Sequence, residues 1–349
     1  MKWRIALEQI DDYHPGKSFP GSVKLSSNEN PLGSSPLALA AAKNAADHAS
    51  VYPPVLPADL SAALAARRGL ASDQVIIGNG SDEVFTLAAA ALIEPGCNAV
   101  GSQHTFSQYE FATRLFGGEF RAAPMNDLHY DLDAIAAAVD GDTKIVFLCT
   151  PNNPTGRIIS QGDLKSFIAR IPRDVLIIID QAYGEYMDDR ETGDAVRLIA
   201  EFDNLMVTGT YSKLYGLAAM RIGYGLASPD IISTLLKVKS PFNTNGPALA
   251  AAQAALDDFD FVERTLTFNA ESKRRFSAAL DKNGVSYLES QANFLCVETK
   301  GPAGDAVSAL QQQGITVRDL SSFGLPGHVR ITLGEPELME RIADILGEL

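Results

Sequence analysis

The chain has 349 residues, of which 46% are apolar and 21% charged, with a formal net charge of −14. That length is long for a single core and predicts two domains, or one large domain with a satellite, and the composition excludes a disordered chain. The acidic balance argues against a nucleic-acid partner, which needs a concentrated basic face, but not against a small anion held by a few local arginines.

Cys97, Cys149 and Cys296 are too far apart in sequence to form a C-x-x-C pair, so free thiols in a reducing compartment are expected. The opening MKWRIALEQIDDYHPGK lacks the apolar stretch of a secretory signal, and no run approaches the length of a membrane span. A soluble cytoplasmic protein without a membrane partner is the expectation.

Residues 1–35 are irregular and rich in Pro and Gly, and read as an arm. From about residue 36, PLALAAAKNAADHA predicts a helix, which VYPP then breaks. Short apolar runs follow, each succeeded by a longer amphipathic stretch: QVIIG (74–78), NAVGS (98–102), TKIVFLC (143–149), DVLIIID (174–180) and LMVTGT (205–210). They are continuous rather than alternating, as strands buried on both faces should be. The pattern predicts an α/β fold with a mostly parallel sheet covered by helices, in a large domain over 36–244. After SPFNTNG (240–246) the rhythm changes. A helix-rich stretch (247–281) leads to ANFLCVE, GITVRD and HVRITLG, which predicts a smaller α+β domain over 245–349.

Open parallel sheets bind ligands beyond the carboxyl ends of their strands, so the residues there carry the functional question. After QVIIG, a Gly turn opens a helix at NGSDE. The amides of Gly80, Ser81 and Asp82 form either an anion cradle or a plain helix cap. After NAVGS, Phe106 or Tyr109 could stack on a flat ring or simply fill the core. His104 reads as a hydrogen-bonded histidine, with no metal-ligand spacing around it. After TKIVFLC, Asn152 and Asn153 sit in a turn fixed by two prolines, where an amide could point into a crevice.

Asp180 ends a buried strand. That is costly unless something positive pairs with it, and Tyr183 could place a phenol beside it. Lys213 follows LMVTGT and is either a solvated lysine or an amine whose pocket lowers its pKa enough to condense with a carbonyl. If the topology brings these positions to one crevice, they offer an anion cradle, a ring platform, an amide, a buried carboxylate and an amine. Pyridoxal phosphate asks for that set.

With these residues in view, the sequence resembles the fold-type I pyridoxal-phosphate aminotransferases, and within them the histidinol-phosphate aminotransferases. The likeness runs in order along nearly the whole chain: YHPGK, LSSNENPLGSSP, YPP, GNGSDE, HTFSQY, CTPNNPTG, DQAYGEY, TYSKLYGLAAMRIGYG, ANFLCVE and FGLPGHVRITLG.

The resemblance implies that Lys213 condenses with the cofactor's aldehyde and then shuttles the proton. It implies that Asp180 keeps the ring nitrogen protonated, that Asn153 and Tyr183 bind the ring oxygen, and that Phe106 stacks on the ring. Ser212, Arg221 and the amides at Gly80 to Asp82 would hold the phosphate, and Tyr52 would reach the phosphate in a neighbouring subunit of a homodimer. Arg330 would clamp the substrate's anionic group, with Tyr13, Asn30 and Arg318 lining the pocket. The implied reaction takes L-histidinol phosphate and 2-oxoglutarate to imidazole acetol phosphate and L-glutamate, in histidine biosynthesis.

Gln181 stands where the family commonly has Glu, which bears on substrate preference. Rivals on the same fold are an aromatic amino acid aminotransferase and a threonine-phosphate decarboxylase. A catalytically silent regulator is disfavoured by the short arm, by the charge and by the presence of Lys213.

Overall fold

The computed structural model describes residues 1–10, 19–188 and 193–349. Its centre is a seven-stranded sheet in the order 75–78, 223–227, 205–210, 176–180, 143–149, 98–102, 119–123. The ladders are parallel except where Gly223–Ala227 runs antiparallel between Val75–Gly78 and Leu205–Thr210.

The apolar runs are continuous because successive residues enter two different cores. Val146, Leu148, Ile177, Ile179, Leu205 and Val207 pack on one side; Ile145, Phe147, Leu176, Ile178 and Met206 pack on the other. The five runs expected to be strands are strands. Two further strands went unseen: Glu119–Ala123, a half-exposed edge, and Gly223–Ala227, whose sequence GYGLA carries two glycines.

The expected helix after residue 36 spans Pro36–Ala46. Ser35 caps it by accepting from the Ala38 amide at 3.2 Å, and Pro36 supplies the first helical position. The second sheet orders Phe294–Glu298, His328–Thr332 and Arg318–Asp319, and packs with the helices Ala303–Gln312 and Pro336–Glu348 around their own core.

Two of the expected boundaries differ from the packing. Helix Gly246–Ala255 does not open the smaller domain: Ala248, Leu249, Ala251, Ala252 and Ala255 lie in the core of the large one. Helical periodicity records that a face is buried but not against what. Nor is the arm a free-standing segment, because Val23–Lys24 pairs in parallel with Ile315–Thr316 and Leu25 enters the smaller core. Ser26 to Glu29 are thereby drawn across the carboxyl ends of the large sheet, where they line a cavity of about 970 Å³.

Candidate active site

Every strand end that raised a question opens on this one cavity. Its wall includes Ser81 and Asp82, Phe106, Asn153, Asp180 and Tyr183, Ser212 and Lys213, Arg221, and Arg318 and Arg330. Parallel pairing is the cause. Cys149 is in register with Asp180, and Asp180 with Thr208, so each following loop emerges on the same side.

Asp180 is 2% exposed. Its Oδ2 accepts from the Tyr109 hydroxyl at 2.7 Å, and its Oδ1 accepts from the Ala182 amide at 3.1 Å and the Thr208 hydroxyl at 3.2 Å. Among the described residues no cation pairs with it, and burial pushes its carboxyl up to about 6 despite these donors. A carboxylate in that state has remaining acceptor capacity and a site for a positive donor from the cavity.

Tyr109 is not on the cavity wall; its hydroxyl serves Asp180. It is fully buried, stacked on Phe147 at 4.9 Å, and burial with the adjacent Asp180 charge raises its phenol well above the ordinary range. It therefore stays a neutral donor. Phe106 meets Tyr109 edge-on at 5.7 Å and presents itself to the cavity.

Lys213 is not a solvated surface lysine. Its Nζ donates to the Ser27 carbonyl at 3.1 Å, and burial, with help from the Arg330 charge, lowers it to about 8. Close to neutrality a useful fraction is therefore the free amine.

The anion end is built from the loop and helix after Val75–Gly78. Glu83 staples the loop by accepting from the Asn79 amide at 2.6 Å and from Asn243 at 2.7 Å. Helix Ser81–Leu92 then begins without a side-chain cap, and Ser81 and Asp82 at its start line the cavity. Gly80 does not offer its amide to the cavity, because it donates to the Gly78 carbonyl at 2.9 Å. Its role is steric: at φ +79° a side chain is strained, and a Cβ would lie 2.7 Å from Arg221 Nη2. Arg221 is held beside it by Asp82 at 3.3 Å, and the Ser212 hydroxyl accepts from Thr210 at 3.0 Å.

Arg330 is buried, donating to the Ser26 carbonyl at 2.7 Å and to Asn153 Oδ1. That contact uses the Asn153 oxygen and leaves its NH₂ as the group free to serve a ligand. Asn152 faces the other way. Its amide is occupied by His104, Thr155, Thr105 and Tyr130, so it is scaffold. His104 hydrogen-bonds the Phe323 carbonyl at 2.6 Å.

Two expectations fare differently. Asn30 does not reach the cavity wall: its amide donates to the Leu214 carbonyl at 2.7 Å and accepts from the Leu32 amide, tying the arm to the Lys213 loop. Gln181 also lies outside the cavity. Its NH₂ donates to the Gly193 carbonyl at 2.8 Å and its oxygen accepts from the Ala195 amide at 3.1 Å. That pairing requires an amide, since an ionised Glu carboxylate cannot donate. Tyr52 is 79% exposed, away from the cavity, stacked on Phe242 at 4.7 Å. Tyr13 lies outside the described residues.

The aminotransferase class I and II family profile matches residues 20–346. The chain belongs to this family. Among the aminotransferases, histidinol-phosphate aminotransferase of Brevibacillus brevis is 41% identical over 340 residues, covering 97% of this chain and 93% of that one. The enzyme of that name from Symbiobacterium thermophilum is 39% identical over 352 residues, covering 98% and 97%. Among solved structures, histidinol-phosphate aminotransferase from Sinorhizobium meliloti in complex with pyridoxal-5'-phosphate superposes with a TM-score of 0.90 at 26% identity, covering 99% of this chain and 97% of that one.

Two residues of this aminotransferase site escaped the sequence reading: Tyr109 in its actual role, and Asn28. Asn28 is 1% exposed, lines the cavity and donates to the Tyr183 hydroxyl at 2.8 Å. The signal available for it was the NEN run, from which Asn30 was singled out.

Proposed function

We propose that this aminotransferase uses pyridoxal phosphate to move the amino group of L-histidinol phosphate to 2-oxoglutarate, giving imidazole acetol phosphate and L-glutamate. The observation carrying the cofactor assignment is that a half-buried amine, Lys213, and a buried carboxylate without a cationic partner among the described residues, Asp180, share one cavity with an uncapped helix start. These residues fit the group. Ser212, Arg221 and the amides of Ser81 and Asp82 would hold its phosphate, Asp180 its ring nitrogen, Asn153 and Tyr183 its ring oxygen, and Phe106 one ring face.

When bound, pyridoxal phosphate supplies a protonated ring that withdraws electrons from the carbon bearing the substrate's amine. Asp180 would hold the proton at the ring nitrogen, a task for which a neutral side chain carries no charge. Lys213, as a free amine, would be the base placed to take the proton from that carbon of the substrate. The buried walls exclude water and strengthen each of these interactions.

Arg330, with Arg318 also on the cavity wall, would receive the anion of either partner: the donor's phosphate or the acceptor's carboxylate. One cationic pocket thus serves both halves of the reaction. The choice of histidinol phosphate rests on the full-length likeness to enzymes of that name.

A homodimer completes the reading. Tyr52, with the neighbouring exposed Val51, Val55 and Leu56, forms an apolar surface suited to a second copy, whose phosphate end it would reach. Cys97, Cys149 and Cys296 are free thiols, in keeping with the cytoplasm, and no described helix is long and apolar enough to cross a membrane.

The test is a donor panel. Purified, cofactor-loaded protein is mixed with 2-oxoglutarate and histidinol phosphate, phenylalanine, tyrosine or threonine phosphate, and glutamate is measured. Histidinol phosphate is expected to give the highest kcat/KM. Faster turnover of phenylalanine, or carbon dioxide release from threonine phosphate, would overturn the substrate assignment.

A further inference from the structure

Asn28 sits at a junction that the mechanism has not yet used. It is buried, with φ +55°, a left-handed conformation that Asn and Asp tolerate better than other side chains. Its backbone amide donates to Thr332 Oγ1 at 2.9 Å, and its carbonyl accepts from Asn293 at 3.1 Å. Its side chain spans two domains: Oδ1 accepts from the Thr332 hydroxyl at 3.2 Å, while Nδ2 donates to the Tyr183 hydroxyl at 2.8 Å.

The orientation of that amide follows from satisfying Thr332. Thr332 is 2% exposed, and its oxygen already receives the Asn28 N–H. With the Asn28 amide turned over, Thr332 would face two donors, and its own hydrogen would have no acceptor among the described residues. In the orientation present, every one of these groups is used. The consequence falls on Tyr183. Its oxygen is occupied as an acceptor, and its hydrogen has no protein acceptor among the described residues, while the phenol lines the cavity.

We propose that Asn28 is a positioning residue that sets the direction of the Tyr183 hydroxyl hydrogen, aiming it into the cavity as a donor, and that Thr332 of the smaller domain fixes Asn28 in turn. The inference rests on the pyridoxal phosphate reading and deepens it. The donor that would meet the ring oxygen is oriented from the arm and the smaller domain, not from the loop that carries Tyr183. Burial keeps the phenol protonated, pushed up to about 12, so a hydrogen is there to be aimed.

The test is cofactor affinity of the unliganded protein, read by fluorescence titration with pyridoxal phosphate, with melting temperature as the folding control. Asn28→Asp keeps shape and left-handed tolerance but, when ionised, only accepts. Tyr183 must then donate to it and turn from the cavity. Asn28→Gly removes the side chain and leaves the phenol free to donate. Asn28→Asp is expected to lose about tenfold in affinity, as befits one hydrogen bond, and to lose more than Asn28→Gly. In a Tyr183→Phe background the Asn28→Asp loss should largely vanish.

A purely structural role predicts the opposite ranking, because Asn28→Gly deletes every side-chain contact. Wild-type affinity in Asn28→Asp, an equal or greater loss in Asn28→Gly, or an undiminished loss in the Tyr183→Phe background would each overturn the proposal. Should Asn28→Asp not fold, Thr332→Val releases the amide. It is expected to weaken binding with Tyr183 present and not in the Tyr183→Phe background; equal losses in both would overturn the proposal. No binding by the wild type would defeat the cofactor reading itself, and this inference with it.

Discussion

Burial raises the Asp180 carboxyl to about 6, against 3.8 for an ordinary aspartate, so the folded, unliganded protein holds that proton more tightly than the unfolded chain does. Below pH 3.8 both states are protonated and the group costs nothing. Between 3.8 and about 6 the penalty grows, and above that it is complete, roughly 2–3 kcal/mol at 1.36 kcal/mol per pH unit. Asp180→Asn should therefore raise the unliganded protein's stability at pH 7–8, measured by urea unfolding, with the gain fading below about pH 4, while kcat/KM falls by orders of magnitude. A variant that is active and no more stable would refute both halves. Lys213 is tuned in the complementary sense. With its amine lowered to about 8, the rate of covalent capture of pyridoxal phosphate by unliganded protein should climb about tenfold per pH unit below 8 and level off above it, as followed by stopped-flow absorbance. Lys213→Ala should show no borohydride-stable mass increase on loading and no measurable transamination.

Between elements, the tolerances are set by backbone meeting backbone. Gly223 opens the antiparallel strand of the seven-stranded sheet, opposite both Gly78 and Thr210, and a Cβ there would lie 2.5 Å from the Ser81 amide nitrogen. Gly223→Ala must displace the start of the helix that carries the anion-binding amides. Cofactor affinity is expected to fall at least tenfold, with the loss offset little by added phosphate. An isothermal titration giving wild-type affinity would show that the helix start is not the phosphate site. Gln181→Glu belongs to the same scale, because its amide joins the end of strand Leu176–Asp180 to the Gly193–Ala195 segment through one donated and one accepted bond. A carboxylate would oppose the Gly193 carbonyl, so a loss of about 1–3 kcal/mol in unfolding free energy is expected with KM for the amino donor unchanged. A shifted KM with intact stability would return position 181 to the substrate pocket.

At the scale of the whole molecule, the apolar stretch around Tyr52 is exposed. Light scattering is expected to give about twice 37.3 kDa, and Tyr52→Ala should weaken cofactor binding without unfolding the protomer. A monomeric, fully active protein would remove the shared site. Much of this architecture is legible without coordinates. Chemistry-bearing side chains follow apolar runs, and parallel pairing must collect such loops on one edge, so Lys213, Asp180, Tyr183 and the Asn152–Asn153 pair stand out as candidates from order, and the family resemblance gives them their roles. The strand Gly223–Ala227 could not, because its glycines serve close packing rather than strand propensity. Nor could the partner of helix Gly246–Ala255, since periodicity marks a buried face and is silent on what buries it. The choice between Asn28 and Asn30, and the turn of Asn152 away from the cavity and Asn153 toward it, depended on contacts distant in sequence, such as Asn28 with Tyr183 and Thr332 and Asn153 with Arg330. By itself the sequence determined the class of fold, the sheet edge and the chemical inventory, because these follow from local periodicity and residue type. Only the tertiary structure decided which neighbour each amide and hydroxyl serves, because hydrogen-bond direction is settled by the partners that long-range packing brings within 3 Å or so.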